Sequence, residues 1–361
     1  MATAHNMCPE LIVEIFTRLP TQSLLRFRSV SKSICGMIGS PDFIRLHSVR
    51  SPKKFTVIHR VNYKAEGITK SMYTINSAGE GQLSYMGTTP VEYPFAYVNI
   101  VGSCNGILCV YEFDKRLIHL WNPSIRRKAT VLFPPVWTPG LALGFGFDPS
   151  IDDYKILWTR STRRGGEVSF VYTMKTHTWR EIASHADMDR LSVVKSPMMC
   201  LFNGALHWAV KRDSRRSGGC YVMTFDLSSE VFSTIELPEP SWETNTVTVI
   251  KGCLAVVSSS SKDVDASSRI WVRNTDATWS LAFKLDMRQP VQSINGDLVF
   301  SGCYSSKGIL DYHDPETGVP SRLVDLTSSS SYVTAMITCI ESLELLHFGT
   351  SCHQGKQALD C

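Results

Sequence analysis

Ten histidines and eleven cysteines are spread over 361 residues, and their spacing argues against most chemistry they could perform. A protein metal site draws its donors from closely spaced pairs such as CxxC or HxxxH, because one short segment must present two of them to the same ion. Neither pattern occurs. His177 and His313 fall at strand ends or turns, and His207 lies inside an apolar strand. No nucleophile–base pair can be nominated, so no catalytic residue, no metal and no cofactor is expected. Gly144-Phe145-Gly146 has the GxG form, but a strand pattern and Asp148-Pro149 follow it instead of a helix, which removes the context of a phosphate cradle. Asp152 and Asp153 read as turn formers.

The remaining chemistry is recognition by charge. Arg160, Arg163 and Arg164 form one cationic group, and Lys211, Arg212, Arg215 and Arg216 form another. Each group is read as the loop between the second and third strands of one of two adjacent β units, so the seven cations are expected together on one rim that binds an acidic segment of a protein substrate. Otherwise they are solvated loops. The elements that carry them decide between these outcomes.

Composition sets the frame. Apolar residues make up 43% and charged residues 19%, with a net charge of only +4, which is the balance of a globular chain. That charge gives no argument for nucleic acid, and no apolar run approaches the length of a membrane span. Met1–Met7 lacks a basic and an apolar region, so the cysteines are expected to be reduced thiols in a soluble cytoplasmic or nuclear protein.

Helical periodicity is confined to the first fifty residues. Leu11, Ile12, Ile15, Phe16 and Leu19 form an apolar stripe, with Pro9 at its start and Pro20 at its end. Thr21 opens a second short helix through Leu24, Leu25 and Phe27. Ser31 or Ser33 opens a third through Ile34, Met37 and Ile38, ending at Ser40-Pro41. Three such helices enclose little apolar surface, so the unit must pack against the rest of the chain or a partner.

From Phe55 the period changes to two. Gly106, Gly204, Gly252 and Gly296 each follow Asn or Lys and each opens an apolar strand, at intervals of 98, 48 and 44 residues. A unit around Leu141–His185 fills the long interval, which leaves the 40–50-residue spacing of propeller blades. Met198–Phe202, the Asn203-Gly204 turn, Ala205–Val210, Tyr221–Phe225 and Val231–Leu237 give one four-stranded unit in full. Five blades are expected between residues 97 and 327. A sixth would join Phe55–Val61, Met72–Asn76 and Gln82–Met86 to the lone segment Tyr332–Cys339, closing the ring. A pair of β-sandwiches is the competing fold. Trp121, Trp158, Trp179, Trp208, Trp242, Trp271 and Trp279 are expected to fill gaps between blades.

Two sets of phrases carry a resemblance. Glu10 to Pro20 followed by Ser23 to Ser33 resembles an F-box. Leu120-Trp121-Asn122-Pro123-Ser124, Gly144 to Pro149 with Asp153-Tyr154-Lys155, Asn203 to Trp208 and Phe225-Asp226-Leu227 resemble the plant F-box-associated interaction domain, type 1. The opening Met7-Cys8-Pro9 places its proline one residue late, and Ile34 stands where the family carries Trp. The resemblance implies a mainly β chain: an F-box over 1–48, a linker over 49–54, a β-propeller-like domain over 55–348, read with the repeat above as six blades, and a polar tail over 349–361.

It also implies the substrate-receptor subunit of an SCF (Skp–cullin–F-box) ubiquitin ligase, itself non-catalytic. The Skp-type adaptor, and cullin through it, would bind Pro9, Leu11, Ile12, Ile15, Leu19, Pro20, Leu24, Leu25 and Val30, and the β domain would hold a protein substrate. A propeller scaffold acting outside a cullin complex is the alternative. A propeller hydrolase is a third; it would need two carboxylates facing each other in the central channel.

Overall fold

The computed structural model describes residues 8–50, 54–64, 67–76, 88–90, 98–134, 141–161, 167–183, 191–193, 199–212, 219–237, 244–259, 268–285, 291–294, 298–301, 309–313, 320–325 and 331–347. Four helices open the chain: α1 (Pro9–Phe16), α2 (Thr21–Phe27), α3 (Lys32–Gly39) and α4 (Pro41–Arg50). Pro9 occupies the first turn of α1, where a missing N–H costs nothing, and Glu10 faces the positive end of the helix. The Ser31 hydroxyl caps α3 by accepting from the Ile34 N–H at 3.1 Å.

The fourth helix corrects the expectation of three. Ser40-Pro41 ends α3, but it also starts α4, because the Ser40 hydroxyl accepts from the Phe43 N–H at 3.2 Å with Pro41 at the first helical position. Helix α4 continues to Arg50 and the first strand begins at Lys54, both within the span 49–54 expected as a linker.

Among the described residues twenty-five strands follow, in antiparallel sheets that succeed one another along the chain. The second sheet joins Asn99–Cys104, Ile107–Glu112, Leu117–Asn122 and Arg127–Leu132 in that order. The third joins Leu141–Asp148, Asp153–Ser161, Glu167–Thr173 and Thr178–Ile182. In the fourth, Ala205–Arg212, Cys220–Asp226 and Phe232–Glu236 follow an inner strand that is split into Leu191–Val193 and Cys200–Phe202. The fifth joins Thr244–Ile250, Cys253–Ser259, Ser268–Arg273 and Trp279–Leu285. A sixth sheet joins Val291–Ile294, Leu298–Ser301, Ile309–His313 and Pro320–Asp325.

The first sheet contains Lys54–Lys64, Gly67–Asn76 and Thr88–Pro90, and Ser331–Ile340 takes its inner position by pairing with Lys54–Lys64. The ring is closed by strands from its two ends, which leaves no inner edge unpaired there. Gln82–Met86 lies outside the described residues. Among the described residues, the second to the fifth sheets form four blades joined by packed apolar seams, against the six blades expected.

Three of the repeated turns have the geometry their sequence demands. Asn105-Gly106, Asn203-Gly204 and Lys251-Gly252 all have both residues at positive φ, the two-residue turn that matches strand twist. The turn at Gly296 lies outside the described residues. Apolar side chains alternate between the two neighbouring seams. In Asp153–Ser161, Trp158 enters the core shared with the second sheet, and Leu157 enters the core shared with the fourth.

Gly144 and Gly146 serve this packing rather than a phosphate. A Cβ at Gly144 would stand 2.6 Å from both Leu206 Cδ1 and Met199 Sδ, and one at Gly146 would stand 2.5 Å from Leu227 Cδ1.

Candidate functional site

Helix α1 is apolar on two faces. Val13 and Phe16 turn inward onto a core formed by Leu24, Ile38, Phe43 and Ile44, while Leu11 and Ile15, one turn apart, remain 56% and 48% exposed. The single stripe expected from the sequence is therefore divided between a core side and an open side. Val30, just beyond α2, is 65% exposed, and Phe27 is 38% exposed with its ring centroid 4.9 Å from that of Phe16. These four, with Val49 of α4 at 79%, are the exposed large apolar side chains among the described residues of the helical unit.

Of the nine residues assigned to an adaptor, Pro9, Leu11, Ile15 and Val30 are exposed, and Ile12, Leu19, Pro20 and Leu25 are half-buried. Leu24 is corrected: it is fully buried in the helices' own core and offers no surface to a partner. Phe27 was missed. The spacing of Leu24, Leu25 and Phe27 shows that one must turn inward but does not say which.

The unsuspected helix α4 positions α1. His47, fully buried, shares a hydrogen bond between its Nε2 and the Leu19 carbonyl at 3.0 Å, and burial pushes the imidazole below its usual range. Arg50 pairs with Glu14 and donates to the Thr17 hydroxyl at 3.4 Å.

The chain after the closing strand meets both parts of the molecule. Leu343 and Leu346 join the helical core together with Ile125 from a turn of the second sheet. Leu345 enters the core between the second and third sheets. Asn122, fully buried, donates from Nδ2 to the Ser342 carbonyl and hydroxyl at 3.0 Å and to the Glu344 carbonyl at 2.9 Å. The Asn122 Oδ1 accepts from the Ser124 N–H at 2.9 Å, which shapes the turn carrying Ile125.

The cationic groups are placed only in part. Arg160 and Lys211 stand within strands, opposite Val168 and Cys220 respectively, and Arg212 ends its strand; none is in a loop as expected. They do sit at the same end of the second strands of adjacent sheets, opposite the end at which the second sheet's turn carries Ile125 into the helical core. Arg163, Arg164, Arg215 and Arg216 lie outside the described residues.

The resemblance phrases meet in a buried polar seam between the third and fourth sheets. The Lys155 ammonium lies 2.7 Å from Asp148 and 2.9 Å from Glu230, and it donates to the Leu227 carbonyl at 2.6 Å. Asp148 also accepts from the Ser150 N–H at 2.9 Å and from the hydroxyls of Ser150 and Ser228 at 2.6 and 2.7 Å. Burial alone would raise the Asp148 carboxyl, but Lys155 and these donors hold it down at about 2. Glu230 also pairs with Arg180 of the third sheet, and together these contacts tie the two sheets.

Tryptophans tie others. Trp179 Nε1 donates to the Leu132 carbonyl at 2.8 Å and Trp279 Nε1 to the Glu236 carbonyl at 2.9 Å, each reaching the outer strand of the preceding sheet. Trp158 and Trp208 are buried in the seams, and Trp121 is buried too. Trp242 lies outside the described residues.

Among the described residues, no group of three or more His, Cys, Asp or Glu could hold a metal ion, and no helix is long and apolar enough to cross a membrane. Burial pushes the thiols of Cys104, Cys200 and Cys339 up to about 12, which keeps them unreactive.

Comparison with known proteins follows the same division. Residues 5–46 match the F-box domain, and residues 61–313 match the F-box associated beta propeller domain. An F-box/kelch-repeat protein of Arabidopsis thaliana is 29% identical over 275 residues, covering 71% of this chain and 73% of its own. An F-box protein of the same plant is 25% identical over 304 residues, covering 77% and 79%. Among solved structures, TolB from Acinetobacter baumannii superposes with a TM-score of 0.52 at 14% identity, over 84% of this chain and 72% of that one, a likeness of fold alone. The chain belongs to the F-box proteins that carry an F-box associated β-propeller domain.

Proposed function

We propose that this chain is the substrate-receptor subunit of an SCF-type ubiquitin ligase, with no catalytic step of its own. One observation carries the proposal: Leu11, Ile15, Phe27 and Val30 stay exposed on a helical unit whose core is already filled by Val13, Phe16, Leu24 and Ile38. Burying a large aliphatic or aromatic side chain is favourable by about 1.5–3 kcal/mol, so a Skp-type adaptor covering these four would recover substantial free energy before association costs. Cullin would follow through the adaptor. The propeller would hold a protein substrate and raise its effective concentration beside the conjugating enzyme, which is catalysis by proximity.

For the substrate we propose an acidic segment at the end of the propeller away from α1–α4, toward which Arg160, Lys211 and Arg212 lie in the last positions of equivalent strands. No nucleic acid or membrane has a part in this function, and its place is the cytoplasm or nucleus. The test is co-purification of the full chain with a Skp-type adaptor and cullin, followed by substrate capture after serine replaces all seven cations. Capture that survives the seven changes would remove the acidic-segment assignment and leave adaptor binding standing.

A further inference from the structure

The helical unit borrows part of its core from the far end of the chain. We infer that residues 341–347 are the positioning element of the adaptor surface: they complete the F-box core and fix it to the second sheet, although none belongs to the open apolar surface. Three sets of contacts carry this.

The first is apolar. Leu343 is fully buried and Leu346 is 5% exposed, both among Leu24, Ile38, Phe43 and Ile44, so removing them opens the core on which α1 lies. The second is polar contact with the helices themselves. His347 Nε2 shares a hydrogen bond with the Gly39 carbonyl at 2.6 Å, at the end of α3, and the Thr21 N–H at the start of α2 donates to the Glu341 carboxylate at 3.4 Å.

The third fixes the segment to the propeller. Asn122 spans 220 positions to reach the backbone and hydroxyl of Ser342 and the Glu344 carbonyl. Gly106, at φ +77°, leaves the space: a Cβ there would lie 2.4 Å from the Ile340 carbonyl oxygen and 2.5 Å from the Ser342 hydroxyl. With one residue pointing each way, Leu345 into the β core and Leu346 into the helical core, the two units cannot turn against each other without breaking the segment's contacts. An adaptor bound at Leu11 and Ile15 would then stand at a set distance from the substrate end of the propeller.

The consequence for the adaptor rests on the receptor function proposed above; the consequence for helix stability does not. The full chain carrying Leu343→Ser and Leu346→Ser is compared with wild type by amide hydrogen exchange and by adaptor affinity. Exchange protection of α1–α3 is expected to fall at least tenfold, while strands Ile107–Glu112 and Ala205–Arg212 keep theirs, and adaptor affinity is expected to fall at least tenfold. Leu343→Ile with Leu346→Met, which keeps the volume, is expected to restore both. Helices as protected as in wild type would overturn the inference, and so would equal loss in helices and strands. Should the double variant aggregate, Leu346→Ala is read by the same two criteria. Helices that lose protection in a chain whose wild type captures no adaptor would sink the receptor function and leave the positioning role intact.

Discussion

The Lys155 ammonium lies 2.7 Å from the Asp148 carboxylate within the seam of the third and fourth sheets, and both side chains are almost wholly shielded from water. Removing one partner of such a pair strands a buried charge. Lys155→Met is expected to destabilise the chain by about 3 kcal/mol in urea unfolding at neutral pH. The Asp148 carboxyl also gives an acid limb. Its folded value of about 2 lies below the usual 3.8, so its contribution is full above about 4 and is lost as pH falls toward 2. The unfolding midpoint should drop over that interval, and Asp148→Asn should flatten the drop.

A second pH dependence falls at milder acidity. His119 is 4% exposed; burial lowers its imidazole to about 4, against a weaker opposing pull from Glu112. A ring kept neutral by the fold binds its proton more readily when unfolded, so stability is full above pH 6.5 and declines toward pH 4. His119→Gln should reduce the slope of unfolding free energy across that window by up to about 1.4 kcal/mol per pH unit. An unchanged slope would mean that His119 is not the group responsible.

Glycine substitutions separate backbone strain from contact. Gly204 and Gly106 share nearly the same turn, at φ +75° and +77°, but a Cβ at Gly204 meets nothing whereas one at Gly106 meets the Ile340 carbonyl oxygen at 2.4 Å. Gly204→Ala should cost about 1–2 kcal/mol, the left-handed penalty alone, and Gly106→Ala clearly more. Gly36, within α3 and with open space around it, should behave oppositely. Gly36→Ala is expected to stabilise by about 0.5–1 kcal/mol. Thermal unfolding of the three variants gives the order directly.

These contrasts show what the residues disclose by themselves. The β repeat is legible because Asn105-Gly106 and Asn203-Gly204 need positive φ and each starts an apolar strand, a local requirement written locally. Helix α4 was hidden because Pro41 ends one helix and begins the next, and only the Ser40 hydroxyl distinguishes the two. The 341–347 segment was hidden for another reason. Leu343, Leu345 and Leu346 serve two different cores, so they show no period at all. In the candidate adaptor surface, spacing gathers the apolar residues of α1 and α2 but not their division, because Val13, Phe16 and Leu24 turn inward only against α3, α4 and Leu343.

Leu24 and Leu11 should therefore fail in different ways. Leu24→Ala opens a cavity in the helical core and is expected to destabilise it by about 2–5 kcal/mol. Leu11→Asp, at a side chain 56% exposed, should leave unfolding within about 0.5 kcal/mol of wild type. Unfolding of α1–α4 followed by hydrogen exchange distinguishes them.

The central claim, that the open face of α1 is an adaptor site, is tested most directly by titrating a purified Skp-type adaptor into the full chain and into its Leu11→Asp, Ile15→Asp variant. Wild type should bind and the folded variant should lose at least two orders of magnitude in affinity. Equal binding by both, or none by a folded wild type, would contradict it.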